Sequence, residues 1–319
     1  MTGHRPVVAV TGASGYIGTR LLNVLQRDEG LARVVAIDTR SLPTPFHNVA
    51  TERLDVTQPL DHAFEDHRVT AAVHLAFLLR PGRSRAEIER VRNANLQGMR
   101  SFLAACDASR VSNLIFLSSH TVYGAHRDNR VPLTEEAPAR APVAFQYARE
   151  KALCEEMVHE YAVRHPDTCV TVLRSCVVMG PDADNYVTRA FFRKALIGIR
   201  GHDPPMQFVH EDDLARLIHH LIVRPMPGTF NVAGEGVIPY SRVARLARRR
   251  LFLLPSYVAF PLVRAAWRLG IQKDSPAVGL DFIRYPLVLS TGKLKGETGF
   301  RFSYTSEEAL MGYLPDIGA

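Results

Sequence analysis

Residues 7–18 read VVAVTGASGYIG, and this stretch decides the fold of the chain. Residues 7–10 are apolar and β-branched, as in a buried strand, and three glycines follow with the spacing TGxxGxxG where a helical pattern begins. Gly12 permits a tight turn, Gly15 lets the backbone approach a pyrophosphate, and Gly18 lets the helix lie close to the strand. The stretch therefore predicts a strand, a phosphate-binding loop and a helix N-terminus that stabilises the phosphate charge.

Strand-like and helix-like segments alternate through the first half of the chain. Short apolar runs rich in β-branched residues occur at 7–11, 33–38, 70–75, 113–118 and 168–173. Longer helical patterns lie between them, at 16–28, 60–67, 85–109 and 145–165. This alternation predicts right-handed crossovers and an α/β fold with a doubly wound, Rossmann-type parallel sheet.

The second half is less regular and predicts a small C-terminal substrate lobe. We expect residues 1–175 to form the Rossmann-type domain, and residues 206–232 to return to it, with segments 208–223 and 229–232 rejoining the main sheet. The lobe then consists mainly of residues 176–205 and 233–319. No flexible linker separates the two parts, so we do not expect two independently folding domains.

Composition excludes several functional classes. The chain has 319 residues, of which 46% are hydrophobic and 22% charged, as in ordinary globular proteins. The net charge of +7 is modest for a chain of this length, and its single dense basic cluster consists of Arg242, Arg245, Arg248, Arg249 and Arg250. Because nucleic-acid-binding proteins usually collect their basic charge over a whole face, we expect no dedicated nucleic-acid groove. The four cysteines form no CxxC pair and no zinc-type spacing with histidine, which predicts no metal site and a reducing, cytoplasmic setting.

The apolar segments are too short or too interrupted to predict membrane insertion. The N-terminus does not have the pattern of a signal peptide. The longest apolar run, residues 251–263, falls short of the roughly 20 residues that a spanning helix needs, and Pro255 and Pro261 interrupt it. Residues 251–270 follow the arginine cluster and contain Trp267. We expect this segment to pack the small lobe rather than contact a membrane, because it lacks a clean polar face at helical period.

The end of the second predicted strand bears on cofactor choice. Asp38, Thr39 and Arg40 follow that strand, with Asp38 twenty residues beyond Gly18. A carboxylate at this place accepts hydrogen bonds from the ribose hydroxyls of NAD and repels the 2′-phosphate of NADP, whereas a nearby arginine can receive that phosphate. The sequence therefore favours NAD and leaves NADP as the alternative.

A second group of residues predicts proton transfer. Tyr147 and Lys151 have the spacing YxxxK at the start of a helical pattern, which places them on one helix face. An ammonium beside a phenol lowers the pKa of the phenol, so this tyrosine can exchange a proton with an alcohol or ketone oxygen. Ser118 and Ser119 end an apolar strand, where side chains face the ligand crevice of an α/β sheet.

These motifs together resemble the extended short-chain dehydrogenase/reductase family of NAD-dependent epimerases and dehydratases. Further blocks carry the resemblance in chain order: Leu54-Asp55-Val56, His74-Leu75-Ala76, Asn95-Leu96-Gln97-Gly98, Val172-Leu173-Arg174 with Gly180-Pro181 (the family's LRPxNVYGP), and residues 208–215 (its FIHVxDxA). The resemblance runs from about residue 7 to about residue 235, and more loosely to about residue 315.

The resemblance implies a catalytic triad of Ser119, Tyr147 and Lys151. Tyr147 is implied as the general acid/base, Lys151 as the group that lowers its pKa and binds the nicotinamide ribose, and Ser119 as the group that orients the substrate oxygen. The implied cofactor-binding residues are Gly12, Ser14, Gly15, Tyr16, Ile17, Gly18, Asp38, Thr39, Arg40, Asp55, Val56, Leu75, Ala76, Asn95, Ser118, Tyr147, Lys151, Cys176 and Val178. It also implies a homodimer through the helices at 85–109 and 145–165.

Three positions depart from the family pattern and concern the small-molecule substrate. Val177 stands where nucleotide-sugar epimerases carry Asn, so a polar sugar diphosphate loses a partner and an apolar ligand gains a contact surface. His120 and Thr121 stand where the sugar 4,6-dehydratases carry Asp-Glu, which argues against elimination of water. The leading hypothesis is an NAD(P)-dependent oxidoreductase acting on a secondary alcohol or ketone. The alternatives are a nucleotide-sugar epimerase and a non-catalytic NAD(P) sensor.

Overall fold

A parallel sheet of seven strands forms the centre of the protein. The computed structural model describes residues 5–79, 84–183, 188, 195–272 and 276–314. The strands lie in the order β3-β2-β1-β4-β5-β6-β11, and the neighbours in this sheet are all parallel. Their bounds are β1 (Val7–Thr11), β2 (Arg33–Ile37), β3 (Val49–Glu52), β4 (Ala71–His74), β5 (Asn113–Ser119), β6 (Cys169–Ser175) and β11 (Gly228–Val232). The predicted doubly wound parallel sheet is confirmed.

Helices cover both faces of this sheet. Alternate strand residues point to opposite faces, so Val8 and Val10 of β1 belong to one hydrophobic cluster and Ala9 belongs to another. The first cluster is covered by α1 (Tyr16–Leu25) and α5 (Glu211–Val223), and the second by α2 (Asp61–His67), α3 (Arg85–Ala108) and α4 (Gln146–Arg164). Burial on both faces explains why the strands read as continuous apolar runs.

The sheet differs from the prediction in one strand that was missed and one segment that was placed wrongly. Strand β3 was not predicted, because its short, half-exposed sequence VATE gives little signal and it pairs only with β2 at the sheet edge. The segment 208–223 does not rejoin the main sheet as a strand. Strand β10 (Phe208–His210) instead pairs with β7 (Val177–Met179), because β11 already occupies the edge beside β6. Helix α5 of the same segment does pack against α1 on the main sheet, and residues 229–232 do join it.

The remaining elements form short sheets and helices beyond β6. Strand β8 (Ala195–Ile199) pairs with β13 (Arg250–Leu254), and β9 (Pro205–Met206) pairs with β12 (Ile238–Pro239). The helices here are α6 (Tyr240–Leu246), α7 (Ser256–Arg268), α8 (Gly292–Thr298) and α9 (Ser306–Tyr313). Two smaller hydrophobic clusters hold most of these elements together, whereas Leu294 of α8 belongs to the first cluster of the main sheet. Within the described ranges, every helix is too short or too polar to cross a membrane.

A buried ion pair joins α4 to β6 behind the carboxyl edge of the sheet. Arg174 donates to both carboxylate oxygens of Glu155, with a shortest contact of 2.7 Å, and the two side chains are 8% and 4% exposed. The carboxylate of Glu155 also accepts from Ser118 Oγ. Arg174 Nη1 donates to the Tyr123 hydroxyl at 2.9 Å, and that hydroxyl donates to Asn231 at 2.8 Å. This chain of polar contacts links the last three strands of the sheet to α4.

We predict that Glu155→Gln lowers the free energy of unfolding by about 3 to 5 kcal/mol, because it leaves the buried guanidinium of Arg174 without its counter-charge. Urea unfolding measures the loss. The matched control is Glu89→Gln, which removes an exposed ion pair with Arg85 and should cost no more than about 0.5 kcal/mol. Equal effects of the two substitutions would contradict the prediction.

Candidate active site

Backbone packing fixes the glycine loop at the end of β1. Gly12 has a φ of +71°, and a Cβ on it would lie 2.6 Å from the backbone nitrogen of Ala76, just beyond β4. A Cβ on Gly18 would lie 2.3 Å from the carbonyl oxygen of Gly12. The loop therefore contacts α1 and the β4 end backbone to backbone. The first turn of α1 has neither a side-chain cap nor an acidic residue, so its amides are available to an anion.

A cleft of about 360 Å³ lies at the carboxyl edge of the sheet, between the glycine loop and α4. It brings together most of the sequence-predicted site residues: Gly12, Gly15, Tyr16, Ile17, Gly18, Arg40, Leu75, Ser118, Ser119, His120, Tyr147, Lys151, Cys176, Val177 and Val178. The other predicted residues lie outside its lining: Ser14, Asp38, Thr39, Asp55, Val56, Ala76, Asn95 and Thr121. The cofactor loop and all three residues of the predicted triad thus share one cleft.

Asp38 organises the rim of this cleft. Its carboxylate accepts from the backbone amides of Ser14 and Arg40, each at 3.0 Å, and lies 3.5 Å from the Arg40 guanidinium. The Ser14 hydroxyl donates to the Arg40 carbonyl at 2.9 Å. Thr39, between them, is exposed. Asp38 therefore ties the glycine loop to the end of β2 and places the exposed Arg40 side chain at the cleft.

The predicted triad has its own local contacts. Ser119 ends β5, and its Oγ accepts from the Thr121 hydroxyl at 3.0 Å and from the Thr121 amide at 3.3 Å. Tyr147 and Lys151 lie one turn apart at the start of α4. Lys151 Nζ donates to the Leu117 carbonyl at 2.6 Å and lies 3.9 Å from the centre of the Phe77 ring. Thr121 thus contributes by orienting Ser119.

Burial shifts the two ionisable triad residues toward their neutral forms. It raises the pKa of Tyr147 to about 12, against a smaller lowering by the hydrogen bond with Ser119. It lowers the pKa of Lys151 to about 8, an effect that Cys154 and Glu155 partly oppose. The sequence predicted that Lys151 lowers the pKa of Tyr147. In the cleft the net pKa of Tyr147 is nevertheless raised, because desolvation is the largest of its causes.

Asn95 lies outside the cleft lining and supports one of the cleft walls. Its side chain accepts from the amide of Leu78 at 2.7 Å and donates to the Leu78 carbonyl at 3.2 Å. It also donates to the Glu150 carboxylate of α4 at 2.6 Å. Asn95 therefore anchors the segment after β4, which supplies Phe77 and Leu79 to the cleft wall.

The Leu54-Asp55-Val56 block also has well-defined local contacts. The carboxylate of Asp55 accepts from the amide and hydroxyl of Thr57, each at 2.9 Å, and so forms a local turn. Val56 packs against α3 where Gly98 leaves room, since a Cβ on Gly98 would lie 2.8 Å from a Val56 methyl carbon. The NxxG spacing therefore serves two contacts, at Asn95 and at Gly98.

The predicted substrate residues lie on a largely apolar side of the cleft. Val177 lines the cleft beside Cys176 and Val178, where β6 passes into β7. His120 also lines it, and burial lowers the pKa of this imidazole to about 4, so it is neutral at neutral pH. The wall at this end thus offers apolar contacts and one uncharged imidazole.

Sequence reasoning missed four lining residues: Phe77, Leu79, Leu117 and Ser175. Three of them adjoin motifs that were found: Phe77 follows Ala76, Leu117 precedes Ser118, and Ser175 precedes Cys176. The signal that could have found these residues is their position next to motifs that end strands at the carboxyl edge of the sheet.

Sequence reasoning also missed a buried cluster beneath the glycine loop. The hydroxyl of Tyr16 donates to the carboxylate of Glu211, which is fully buried at the start of α5. Arg20 pairs with Glu211 at 3.0 Å and with Asp212 at 2.7 Å. The signal is that Glu211 stands where the family pattern FIHVxDxA has Val. The cluster ties α1 to α5, and Tyr16 itself lines the cleft.

Comparison with known protein sequences agrees with this geometry. The model of the NAD dependent epimerase/dehydratase family matches residues 8–233. An uncharacterized protein of Mycobacterium tuberculosis is 26% identical over 324 residues, which cover 98% of this chain and 84% of the relative. A UDP-glucose 4-epimerase of Yersinia enterocolitica is 32% identical over 183 residues, which cover 52% of this chain and 52% of the relative.

Solved structures share the fold along nearly the whole chain. UDP-glucose 4-epimerase of Thermotoga maritima with UDP-glucose gives a TM-score of 0.75 at 18% identity, covering 97% of both chains. WbmG of Bordetella bronchiseptica in complex with NAD gives a TM-score of 0.74 at 19% identity, covering 98% of this chain and 94% of that chain. At these identities the structures establish the common fold.

We predict that the protein binds NAD more tightly than NADP and that Asp38→Ala reduces this preference by about tenfold, the effect of removing about 1.4 kcal/mol of charge repulsion. Arg40, which lines the cleft and stays in place, then receives the 2′-phosphate. Calorimetric titration with both dinucleotides measures the ratio. The control is Asp38→Ala combined with Arg40→Ala, which should lose the gained NADP affinity. An unchanged ratio in Asp38→Ala would contradict the role of the carboxylate.

We also predict a pH signature for Lys151. Its pKa of about 8 in the folded cleft lies below the ordinary value of 10.5. The unfolded chain therefore holds this proton more strongly, and the contribution of Lys151 to stability rises as the pH increases from about 8 to about 10.5. Urea unfolding of wild type and Lys151→Met across this range should show the wild type gaining stability relative to the variant. A constant difference would mean that the ammonium is not desolvated.

Proposed function

Because the chain belongs to the NAD dependent epimerase/dehydratase family, an enzyme family whose cofactor is NAD, we propose that Tyr147 is its general acid/base. In this proposal the protein transfers hydride between the nicotinamide and a secondary alcohol or ketone carbon of a small molecule. The observation that carries it is the shared cleft, which Tyr147, Lys151 and Ser119 line together with the glycine loop.

The residues at the carboxyl edge fit a dinucleotide. The uncapped N-terminus of α1 provides amides for the pyrophosphate, and only glycine fits at Gly12 and Gly18 without displacing backbone. Asp38 and Arg40 lie at the end of β2, where the adenosine ribose is held in such folds. When bound, NAD supplies the carbon that accepts or returns hydride.

The protein's own groups handle the proton. With a pKa raised to about 12 by burial, the Tyr147 hydroxyl keeps its proton at neutral pH and is ready to donate it to a ketone oxygen. Ser119 Oγ, oriented by Thr121, is placed to hydrogen-bond the same oxygen. Lys151 on the next turn of α4 can stabilise the phenolate that remains after donation. The reverse steps remove the proton from an alcohol.

Two substrate classes have specific support. The apolar wall formed by Val177, Phe77 and Leu79 favours a dehydrogenase acting on a weakly polar alcohol or ketone. The relatives named UDP-glucose 4-epimerase favour the second candidate, an epimerase that removes and returns hydride at one carbon. A dehydrogenase produces net NADH from its alcohol, whereas an epimerase forms product without a net change in NADH absorbance. A non-catalytic sensor would bind NAD and do neither.

Three further proposals concern organisation and setting. The elements after β6, apart from α5 and β11, serve as the substrate lobe. The homodimer forms through α3 and α4, as the resemblance to the extended family implies. The reduced state of the four cysteines, which form no disulfide, is consistent with the cytoplasm as the working compartment.

We predict that Tyr147→Phe lowers kcat about 10²- to 10⁴-fold, the usual range for loss of a general acid/base. The phenyl ring retains the edge-on contact with Phe77, whose centroid lies 5.6 Å away, so NAD affinity should stay within a few-fold of wild type. The measurements are turnover of UDP-glucose and of a panel of secondary alcohols, with NAD titration as the folding control. Wild-type turnover of any accepted substrate by Tyr147→Phe would refute the proposal.

A further inference from the structure

The whole net positive charge of the chain resides in one segment. Residues 236–272 contain seven arginines and no acidic residue, and the chain's net charge is +7. The rest of the chain therefore carries equal numbers of basic and acidic side chains. The arginines are those of the sequence cluster together with Arg264 and Arg268 of α7. Among the described acidic residues, none forms an ion pair with Arg264 or Arg268.

Helix α7 packs on the protein with one narrow face. Ala259 and Val263, four residues apart, are its buried side chains and belong to a small hydrophobic cluster with Ile199 and Leu280. This agrees with the expectation that the segment packs the lobe. The agreement holds for that face only, because the helix has a second apolar face that is not covered.

The second face is an exposed apolar stripe. Val258, Leu262, Ala265 and Leu269 follow one another at spacings of four, three and four residues, which places them on one side of the helix. Val258 is 40% exposed, Leu262 53% and Leu269 75%. We call these four residues the Leu262 face. Tyr257, Arg264 and Arg268 share a neighbouring face at spacings of seven and four, and all three are exposed.

We propose that the Leu262 face, with the arginines beside it, docks the protein on an anionic lipid surface. Apolar side chains on an amphipathic helix insert at the headgroup boundary, and arginines beside them attract anionic phosphates. A tyrosine at the same level has the amphipathic character of an interfacial residue. Helix α7 lies along the surface and does not span it, in keeping with its thirteen residues.

Charge favours an anionic lipid surface over a second copy of the chain or a nucleic acid as the partner of the Leu262 face. A second copy of the chain would bring its own Arg264 and Arg268 against the same pair, and no described acidic residue forms an ion pair with either arginine. A nucleic acid would satisfy the arginines, but it would leave the exposed leucines in contact with a charged backbone. An anionic lipid surface satisfies the guanidinium groups and covers the apolar stripe together.

Co-sedimentation of the full chain with vesicles tests the proposal. The probes are vesicles of pure phosphatidylcholine and vesicles in which about one third of the lipid is phosphatidylglycerol. Wild type should bind the second and not the first, and added salt should weaken the binding. The single tryptophan, Trp267, lies in α7. It lies four residues beyond the buried Val263, on the side of α7 away from the Leu262 face, so its fluorescence should escape quenching by brominated acyl chains in the anionic vesicles.

Two matched variants separate the Leu262 face from general charge effects. Leu262→Glu should reduce vesicle affinity about tenfold or more. Val223→Glu makes the same kind of change at an exposed apolar residue at the end of α5, where the side chain is 51% exposed, and it should bind vesicles almost as wild type does. Both positions are exposed, so thermal unfolding and NAD titration should be unchanged in both variants, which keeps the result independent of catalysis.

Several outcomes would overturn the proposal. Binding that is absent, indifferent to lipid charge, or equally reduced by Leu262→Glu and Val223→Glu would do so. Sedimentation equilibrium in which Leu262→Glu converts a dimer to a monomer would assign this face to self-association. A DNA duplex that displaces vesicles and binds Leu262→Glu as tightly as wild type would assign the arginines to nucleic acid.

Discussion

The backbone contact between the glycine loop and the end of β4 is the constraint on which the rest of the structure depends. No side chain fits at Gly12 or at Gly18, where a Cβ would lie 2.6 Å and 2.3 Å from backbone atoms. The N-terminus of α1 is therefore held directly above β1. Since β4 and β5 are the next strands of the sheet, the same contact places the phosphate loop across one cleft from Ser119 and α4.

The cleft buries two ionisable side chains, Tyr147 and Lys151, and the surrounding structure must offset the cost of their desolvation. Burial disfavours both the tyrosinate and the ammonium, as the raised pKa of Tyr147 and the lowered pKa of Lys151 show. Such an arrangement persists only if the neighbouring structure is rigid. The buried ion pair of Glu155 and Arg174 lies one helical turn beyond Lys151, and the Glu155 carboxylate partly opposes the lowering of the lysine pKa. Tyr147 and Lys151 are thus backed by a charge pair that lies outside the cleft lining.

The sequence predicted the sheet, its first helices and the composition of the cleft, because these depend on local signals. Strand β1 and the start of α1 follow from apolar runs and glycine spacing, and Tyr147 and Lys151 follow from their YxxxK spacing. The choice of Ser119 over Ser118, and most of the other cleft residues, came from the resemblance to the family. What it did not predict depends on contacts between distant segments. The pairing of β10 with β7 is decided by which strand occupies the edge beside β6. The hydrogen bonds of Asn95 with Leu78 and Glu150 join α3 to the segment after β4 and to α4. The direction of the Tyr147 pKa shift depends on burial, which no motif reports.

The distribution of charge indicates that nucleotide binding in the cleft and the attraction of the outer surface for anions depend on different segments of the chain. A value of +7 suggests a general attraction for anionic dinucleotides, yet residues 236–272 carry all of it and contribute no residue to the cleft lining. The affinity of the cleft for phosphate must then arise locally, from the uncapped amides of α1 and from Arg40. Changes in surface charge around α7 can therefore alter what the protein binds on its outside without altering how it holds a nucleotide. The two properties can vary independently because they rest on different segments of the chain.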